Sequence, residues 1–331
     1  MAVYTQLGAE TLAGIIAQFD VGPLVSAKGI AEGVSNSNWL IETAGKDGTT
    51  DGGGARFILT VYEQRTDVGD LPFFLGLLDH LAERACPVPR TIHDRQGQAF
   101  RFHEGKALAL IEFLPGVSVS APTPEQARAV GAALAQIHLA AAGFPESRAN
   151  GLGIAGWRTL ADACGDTGLA SIAPGLDTKV RRELATLAAE WPQDLPRSVV
   201  HADLFPDNVL MLGAQVTGLI DFYFACNDIT AYDVAVTHAA WCFSGDGRSF
   251  DPALSQALLE GYGSVRPLSG PERAALPLLA RGASMRFLMT RAYDWMNTPA
   301  DALVTRKDPL AFARRLEFYA DPANVALFAE S

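Results

Sequence analysis

Three oxygen-bearing side chains stand out in the segment Val199 to Asp221, which reads VVHADLFPDNVLMLGAQVTGLID. Two short β-like apolar runs, Val209 to Leu212 and Val216 to Ile220, are joined by Gly213-Ala214-Gln215, so the segment is expected to be a loop followed by a hairpin. Such a hairpin can bring Asp203 and Asn208, on the loop leading in, close to Asp221 at the exit of the second strand. The set suits phosphoryl transfer, because Mg²⁺ is a hard cation that takes carboxylate and amide oxygens while keeping room for water and phosphate. Asn208 and Asp221 are the candidates for that metal. Asp203 is then left to orient an acceptor hydroxyl and take its proton, since an alcohol at neutral pH is a poor nucleophile. A plain surface turn is the competing reading, as Asp, Pro and Asn all form turns. The co-occurrence of loop, hairpin and second Asp weighs against it.

The rest of the chain must position these groups. Its 331 residues exceed what one ordinary core needs and suit two lobes. Near the start, Leu12, Ile15, Ile16 and Phe19 have helical spacing, and Gly22-Pro23 stops them. The stretches Leu24 to Ile30, Asn38 to Glu42 and Phe57 to Tyr62 read as antiparallel strands, with the polar GKDGTTDGGG run, Gly45 to Gly54, as a mobile hairpin tip between two of them. A helix over Leu71 to Arg84 and a strand pair, Ala99 to Phe102 with Ala107 to Phe113, complete a mixed first lobe. Beyond Pro115-Gly116, Thr123-Pro124-Glu125-Gln126 has a Thr cap, Pro at the first helical position and Gln at the third. A long helix with a stripe of Ala127, Val130, Leu134, Ile137 and Ala141 is expected to follow. Further helices are expected over Leu176 to Trp191, Ala231 to Phe243, Ala253 to Tyr262, Pro271 to Asn297 and Pro309 to Tyr319. The fold class expected is α+β.

Composition narrows the function classes. A formal net charge of −11 would repel a polyphosphate backbone, and the basic residues form no dense run, so nucleic acid is an unexpected partner. No apolar run approaches the roughly 20 residues that span a bilayer, and the N-terminus lacks the pattern of a secretion signal. No membrane partner and a cytoplasmic location are the expectations. Cys86, Cys164, Cys226 and Cys242 have no CxxC spacing, which argues against zinc and against a disulfide scaffold.

His201-Ala202-Asp203-Leu204-Phe205-Pro206-Asp207-Asn208 resembles the HxDxxxxN loop of the aminoglycoside phosphotransferase and choline kinase superfamily, and Asp221 matches that group's metal-binding Asp after a strand. The related protein kinases carry HRD and DFG where this chain has His-Ala-Asp and Asp-Phe-Tyr. The resemblance implies a bilobal, protein-kinase-like fold: a small antiparallel-sheet nucleotide lobe, residues 1–113, and a larger, mainly helical catalytic and substrate-binding lobe, residues 114–331. It implies ATP and Mg²⁺, with Asp203 as general base, Asn208 and Asp221 on the metal, and His201 supporting the loop. Gly33 to Trp39 lies where the superfamily has its phosphate-covering loop, so Ser35, Asn36, Ser37 and Asn38 are the triphosphate candidates, although an ordinary polar hairpin would look similar. Ile111 to Gly116 resembles the inter-lobe hinge, with backbone groups near Glu112 and Leu114 reading adenine. One departure is clear: Thr60 stands where kinases of this fold put a third-strand Lys or Arg, which leaves the phosphate cation unassigned, with Arg65 one candidate.

Several stretches are similar to the homoserine kinases built on this fold: Phe57 to Glu63, Asp70 to Phe74, Gly218 to Cys226, and Tyr293-Asp294-Trp295. That similarity implies a small-molecule acceptor, L-homoserine, phosphorylated to O-phospho-L-homoserine in threonine biosynthesis. Homoserine carries an ammonium, a carboxylate and a hydroxyl, so its pocket should offer an acid or aromatic face and an Arg. Tyr223, Asp228, Tyr232, Arg286 and Arg291 are the candidates. Choline, an aminoglycoside or methylthioribose remain alternative acceptors, and a catalytically silent nucleotide-binding scaffold is the alternative from another class. The oligomeric state is not legible.

Overall fold

The computed structural model describes residues 5–30, 36–44, 54–63, 67–298 and 306–328. The chain divides into two compact units, Met1–Gly116 and Val117–Ser331. The Gly45 to Gly54 tip lies outside the described residues but for Gly54.

The first unit runs α1 (Ala9–Ile16), β1 (Leu24–Ile30), β2 (Ser37–Thr43), β3 (Ala55–Val61), α2 (Leu71–Ala82), β4 (Thr91–Ile92), β5 (Arg101–His103) and β6 (Lys106–Glu112). The strands form one antiparallel sheet in the order β1-β2-β3-β6-β4, with β5 paired to β6. Alternation along β3 sends Phe57, Leu59 and Val61 to one face, where they join Trp39, Ile41, Leu108 and Leu110 against Leu12, Ile15 and Ile16 of α1. Thr60 points the other way and sits opposite Asn38 of β2 and Ala109 of β6. Helix α2 buries Leu71, Phe73, Phe74, Leu75, Leu77, Leu78 and Leu81, apolar nearly all round as befits a core helix.

The second unit is mainly helical: α3 (Pro124–Ala140), α4 (Ile154–Ile172), α5 (Leu176–Glu190), β7 (Arg197–Val200), β8 (Val209–Leu212), β9 (Gln215–Leu219), β10 (Cys226–Ile229), α6 (Thr230–Trp241), α7 (Pro252–Val265), α8 (Gly270–Asn297) and α9 (Leu310–Ala320). The capping box expected from Thr123 and Gln126 opens α3, with Gln126 N–H on Thr123 Oγ1 at 3.3 Å and Thr123 N–H on Gln126 Oε1 at 3.0 Å. Helices α3 and α7 cross so closely that a Cβ on Gly131 would run into the Leu258 carbonyl oxygen, and one on Gly261 into that of Arg128. Only glycine at both positions permits this backbone approach. The hairpin β8–β9 and the antiparallel pair β7–β10 are the small sheets of this unit.

Among the described residues no helix is long and apolar enough to cross a membrane. All four cysteines are free and buried. Helix α4 is the main element that sequence patterning does not forecast. It buries only Trp157, Ala161, Cys164 and Leu169, and it kinks at Gly165, whose φ is 67°.

Candidate active site

The site grows from the loop that leaves β7. Val200 is the last paired residue, opposite Cys226 of β10, and the chain then turns through Ala202, a non-glycine residue at φ 63°. A left-handed alanine costs about 1–3 kcal/mol and persists only where its surroundings over-determine it. Here they do. The fully buried Asp233 of α6 accepts the N–H groups of His201 (2.6 Å) and Ala202 (2.7 Å), and the Ala202 carbonyl accepts from the guanidinium of buried Arg286 on α8. Burial works against the charge of Asp233, but the hydrogen bonds from His138 and from the loop N–H groups hold its pKa below the ordinary range. His138 Nε2 lies 3.0 Å from that carboxylate, and its Nδ1 lies 2.8 Å from the Tyr262 hydroxyl.

His201 is fully buried and packs on Phe222, 4.4 Å between ring centres. Its Nε2 donates to the Ile220 carbonyl at 3.0 Å and its Nδ1 accepts the Asp203 N–H at 3.2 Å. One neutral tautomer satisfies both bonds, and burial, with the Arg286 charge acting the same way, lowers the pKa against the pull of Asp233 and the Ile220 bond. His201 thus ties the main chain of Asp203 to the residue before Asp221.

Asp203 keeps 17% of its side chain exposed and has Arg286 Nη2 at 3.8 Å from Oδ1. Burial pushes its pKa up to about 7, with the Arg286 charge working against this and the Asp221 charge adding to it. Asn208, at the end of the 3₁₀ turn Pro206–Asn208, donates Nδ2 to the Asp203 carbonyl at 2.8 Å and to Asp203 Oδ2 at 3.3 Å. With its nitrogen turned inward, the amide presents Oδ1 on the opposite side. Asp221 follows β9 in the left-handed region, φ 66° and ψ 58°. Loss of water around its carboxyl pushes the pKa up to about 6, with the Asp207 charge adding to this and the Tyr223 N–H and the Lys307 charge working against it, although the residue as a whole is exposed. The donors therefore fit Mg²⁺: an exposed carboxylate and an amide oxygen supply a few hard ligands, and water and phosphate complete the shell.

The structure brings together His201, Asp203, Asn208, Asp221, Tyr223 and Arg286. Asp228 is engaged by other partners, and Tyr232 lies buried beside Arg286, whose charge it feels. Asp228 accepts from Asn150 Nδ2 (2.6 Å), Ile229 N–H (2.7 Å) and Arg197 (3.2 Å), while Tyr232 is fully buried with its ring edge-on to Trp191. Arg291 lies over the Phe312 ring, 4.5 Å from its centre. Sequence patterning passes over Asp207, Lys307 and Phe205 as site neighbours, although Lys307 Nζ is 3.6 Å from Asp207 and 5.8 Å from the Phe205 ring. No local signal joins Lys307 to a loop a hundred residues earlier.

In the first unit, Ser35 and Arg65 lie outside the described residues. Ser37 and Asn38 belong to strand β2 rather than to a loop. Asn36 Oδ1 accepts the Glu63 N–H at 3.3 Å, Ser37 Oγ donates to Glu63 Oε1 at 2.7 Å, and Asn38 Oδ1 accepts from Thr60 Oγ1 at 2.8 Å. These short side chains brace the end of the sheet. Thr60 is 3% exposed, so it does not stand in for a cation. Glu112 is held by Arg90, its N–H on the Arg90 carbonyl at 2.9 Å and its Oε2 on the Arg90 N–H at 3.2 Å, and Phe113 N–H bonds the Arg56 carbonyl at 3.3 Å. Leu114 is the next residue, half-buried at the end of the strand.

Residues 26–268 match the phosphotransferase enzyme family. The homoserine kinase of Gluconobacter oxydans (strain 621H) is 49% identical over 327 residues, 98% of this chain and 100% of the relative. That of Xanthobacter autotrophicus (strain ATCC BAA-1158 / Py2) is 50% identical over 319 residues, 96% of each. Among solved structures, an amicoumacin kinase in complex with AMP-PNP and Ca²⁺ superimposes with a TM-score of 0.65 at 14% identity, covering 98% of this chain and 94% of that one. The likeness to that structure extends to the fold, which is α+β and protein-kinase-like as expected.

Proposed function

We propose, from the premise that the chain belongs to the phosphotransferase enzyme family, that it transfers the γ-phosphoryl group of ATP to the side-chain hydroxyl of L-homoserine, giving O-phospho-L-homoserine and ADP. The observation that carries the chemistry is Asp203, oriented by His201, Asn208 and Arg286 and electrostatically coupled to Asp221. Near-half identity to homoserine kinases over almost the whole chain supports the choice of acceptor. Threonine biosynthesis and a cytoplasmic location follow from that acceptor.

Asp203 takes the acceptor proton as the hydroxyl oxygen bonds to the γ-phosphorus, and the bond from that phosphorus to the bridging oxygen of ADP breaks. The phosphoryl group passes directly, so the enzyme forms no covalent intermediate. A carboxylate with its pKa near 7 is matched to this task at neutral pH. Asn208 Oδ1 and Asp221 are the residues that would hold Mg²⁺, whose charge offsets that of the phosphates and the transferring group. His201 and Asp233 fix the loop so that Asp203 needs no reorganisation during the reaction, and alignment supplies much of the rate. Asn36, Ser37 and Asn38 would lie on the phosphate side of the nucleotide, and the main chain at Glu112 and Leu114 would read adenine.

The test is ADP release with Mg-ATP and a panel of L-homoserine, L-threonine, choline, methylthioribose and kanamycin, with Asp203→Ala as the blank. Turnover with homoserine alone is the expected result. Turnover with another alcohol would keep the kinase and discard the acceptor, and silence with all five would favour an untested acceptor or a nucleotide-binding scaffold.

A further inference from the structure

Three aromatic rings meet beside the Asp203 loop. Phe287 lies 4.8 Å from Phe205 and 4.9 Å from Phe312, and Phe205 lies 6.0 Å from Phe312, centre to centre. Four cations stand over this trio: Arg286 4.7 Å from Phe287, Arg291 and Arg315 4.5 and 4.3 Å from Phe312, and Lys307 5.8 Å from Phe205. In a chain of net charge −11 such a concentration of positive charge calls for a counter-charge. Two members have one. Arg286 faces Asp203, and Lys307 faces Asp207.

Arg291 and Arg315 have carboxylates only at longer range, Asp308, Asp203 and Asp207 about Arg291 and Asp246 about Arg315. Arg315 is 3% exposed, donates to the main-chain carbonyls of Ser244 (2.9 Å) and Ala311 (3.3 Å), and leaves its buried Nε without a partner. Arg291 donates to the main-chain carbonyl of Asp308 at 3.3 Å. Among the described residues neither pairs with a carboxylate. Burial draws each guanidinium down to about 10; for Arg315 the Arg291 charge adds to this, whereas Asp308, Asp203 and Asp207 act against it at Arg291. The π faces of Phe312 relieve part of the charge, and an anion would relieve the rest. Arg291 reaches the Asp203 loop through Phe312, whose ring lies 6.0 Å from that of Phe205, and it stands within electrostatic range of Asp203 and Asp207.

We propose that Arg291, with Arg315 behind it on the same ring, binds the α-carboxylate of the amino-acid alcohol whose hydroxyl meets Asp203, and so selects an amino acid over a plain amino alcohol. The inference rests on the reading of the chain as a kinase for an amino-acid alcohol. A planar guanidinium held by an aromatic face suits a carboxylate through paired N–H donors, which a point-charge ammonium does not reproduce. Arg286, by contrast, is buried against Ala202 and Asp203 and serves as a positioning residue.

The test compares the wild type with Arg291→Met, which keeps an apolar stem over Phe312, and with Arg291→Lys. Steady-state kinetics are run on L-homoserine and on 3-aminopropan-1-ol, the same alcohol without its carboxylate. Arg291→Met is expected to raise KM for homoserine roughly 10- to 100-fold, the range of charge-assisted hydrogen bonding, with kcat changed only a few-fold and KM for 3-aminopropan-1-ol unchanged. Arg291→Lys should recover part of the loss. An equal loss on both alcohols, or an unchanged homoserine KM, overturns the proposal. Should Arg291→Met fail to fold, inhibition of the wild type decides. Competition with homoserine by L-2-aminobutyrate but not by propylamine supports the carboxylate subsite, and equal inhibition or none overturns it. A wild type that ignores homoserine but phosphorylates another alcohol ends the acceptor reading, and the subsite then stands only if that alcohol carries a carboxylate and Arg291→Met raises its KM. Turnover confined to carboxylate-free alcohols, or no turnover at all, overturns the subsite.

Discussion

The Nε2 of His201 donates to the carbonyl oxygen of Ile220 at 3.0 Å. Because the other ring nitrogen accepts the Asp203 N–H, one imidazole sets the spacing between the proposed base and the strand end that presents Asp221. His201→Phe would fill the same space and remove both bonds. It is expected to lower kcat about 10- to 100-fold, the size of effect that a small misplacement of reacting groups produces. Nucleotide affinity should hold, and a variant with wild-type kcat would remove this role.

Asp203→Asn retains the shape and the Asn208 contact but cannot take a proton. A loss of about 10²- to 10⁴-fold in kcat is expected, with Mg-ATP binding intact by calorimetry. Full turnover in this variant would end the general-base assignment.

Asp221→Ala should fail at an earlier step. Asp221 is exposed just beyond β9 but sits at φ 66°, so the alanine should cost about 1 kcal/mol of stability, too little to unfold the protein, while abolishing the metal dependence of nucleotide binding. A titration in which Mg²⁺ still tightens ATP binding to the variant would shift the metal to other ligands.

The gathering of Asp203, Asn208 and Asp221 was legible in the sequence because it is local. Residues 201–221 hold the loop, the hairpin and both acids within one stretch, and their spacing alone forecasts that they converge. The helices with periodic stripes and caps, such as α3, were legible for the same reason. What was not legible depends on partners distant in the chain. Asp233 braces a loop that begins more than thirty residues earlier, and Arg286 closes on Ala202 from α8. Nothing in their own neighbourhoods marks either as a support of Asp203. Helix α4 escapes because its glycines, Gly156, Gly165 and Gly168, dilute the apolar stripe, and tertiary packing of Trp157 and Leu169 overrides the weak propensity. Asn36 and Ser37 read as loop residues because short polar side chains carry no periodicity, yet both are buried beside Glu63.

Asp233→Asn tests that long-range brace. An amide can accept one of the two loop N–H groups, but its own NH₂ then opposes the other, and His138 loses its buried anion. A loss of about 2–4 kcal/mol in urea unfolding is expected, together with reduced kcat. Stability within 0.5 kcal/mol of wild type, a rough allowance for a surface change, would show the brace to be dispensable.

His238 gives the pH dependence of stability its testable form. It is fully buried on α6, with Nδ1 2.6 Å from the Tyr319 hydroxyl and Nε2 2.7 Å from Ser255 Oγ, and burial draws its pKa down to about 3. In the unfolded chain the same imidazole titrates near 6.5, a value of about that size being usual for a free histidine. Between those two values the unfolded state binds the extra proton, so stability is full above the unfolded pKa and falls as the pH drops below it. At pH 5.5 this one residue should withdraw about 1.4 kcal/mol relative to pH 7.5. His238→Gln carries no such proton, so its deficit relative to the wild type should shrink by about 1.4 kcal/mol between pH 7.5 and pH 5.5. Urea titrations of both proteins at the two pH values measure the difference directly. The wild type should lose the additional 1.4 kcal/mol or so, and parallel losses in the two proteins would mean that His238 is already protonated in the native state or is not buried as described.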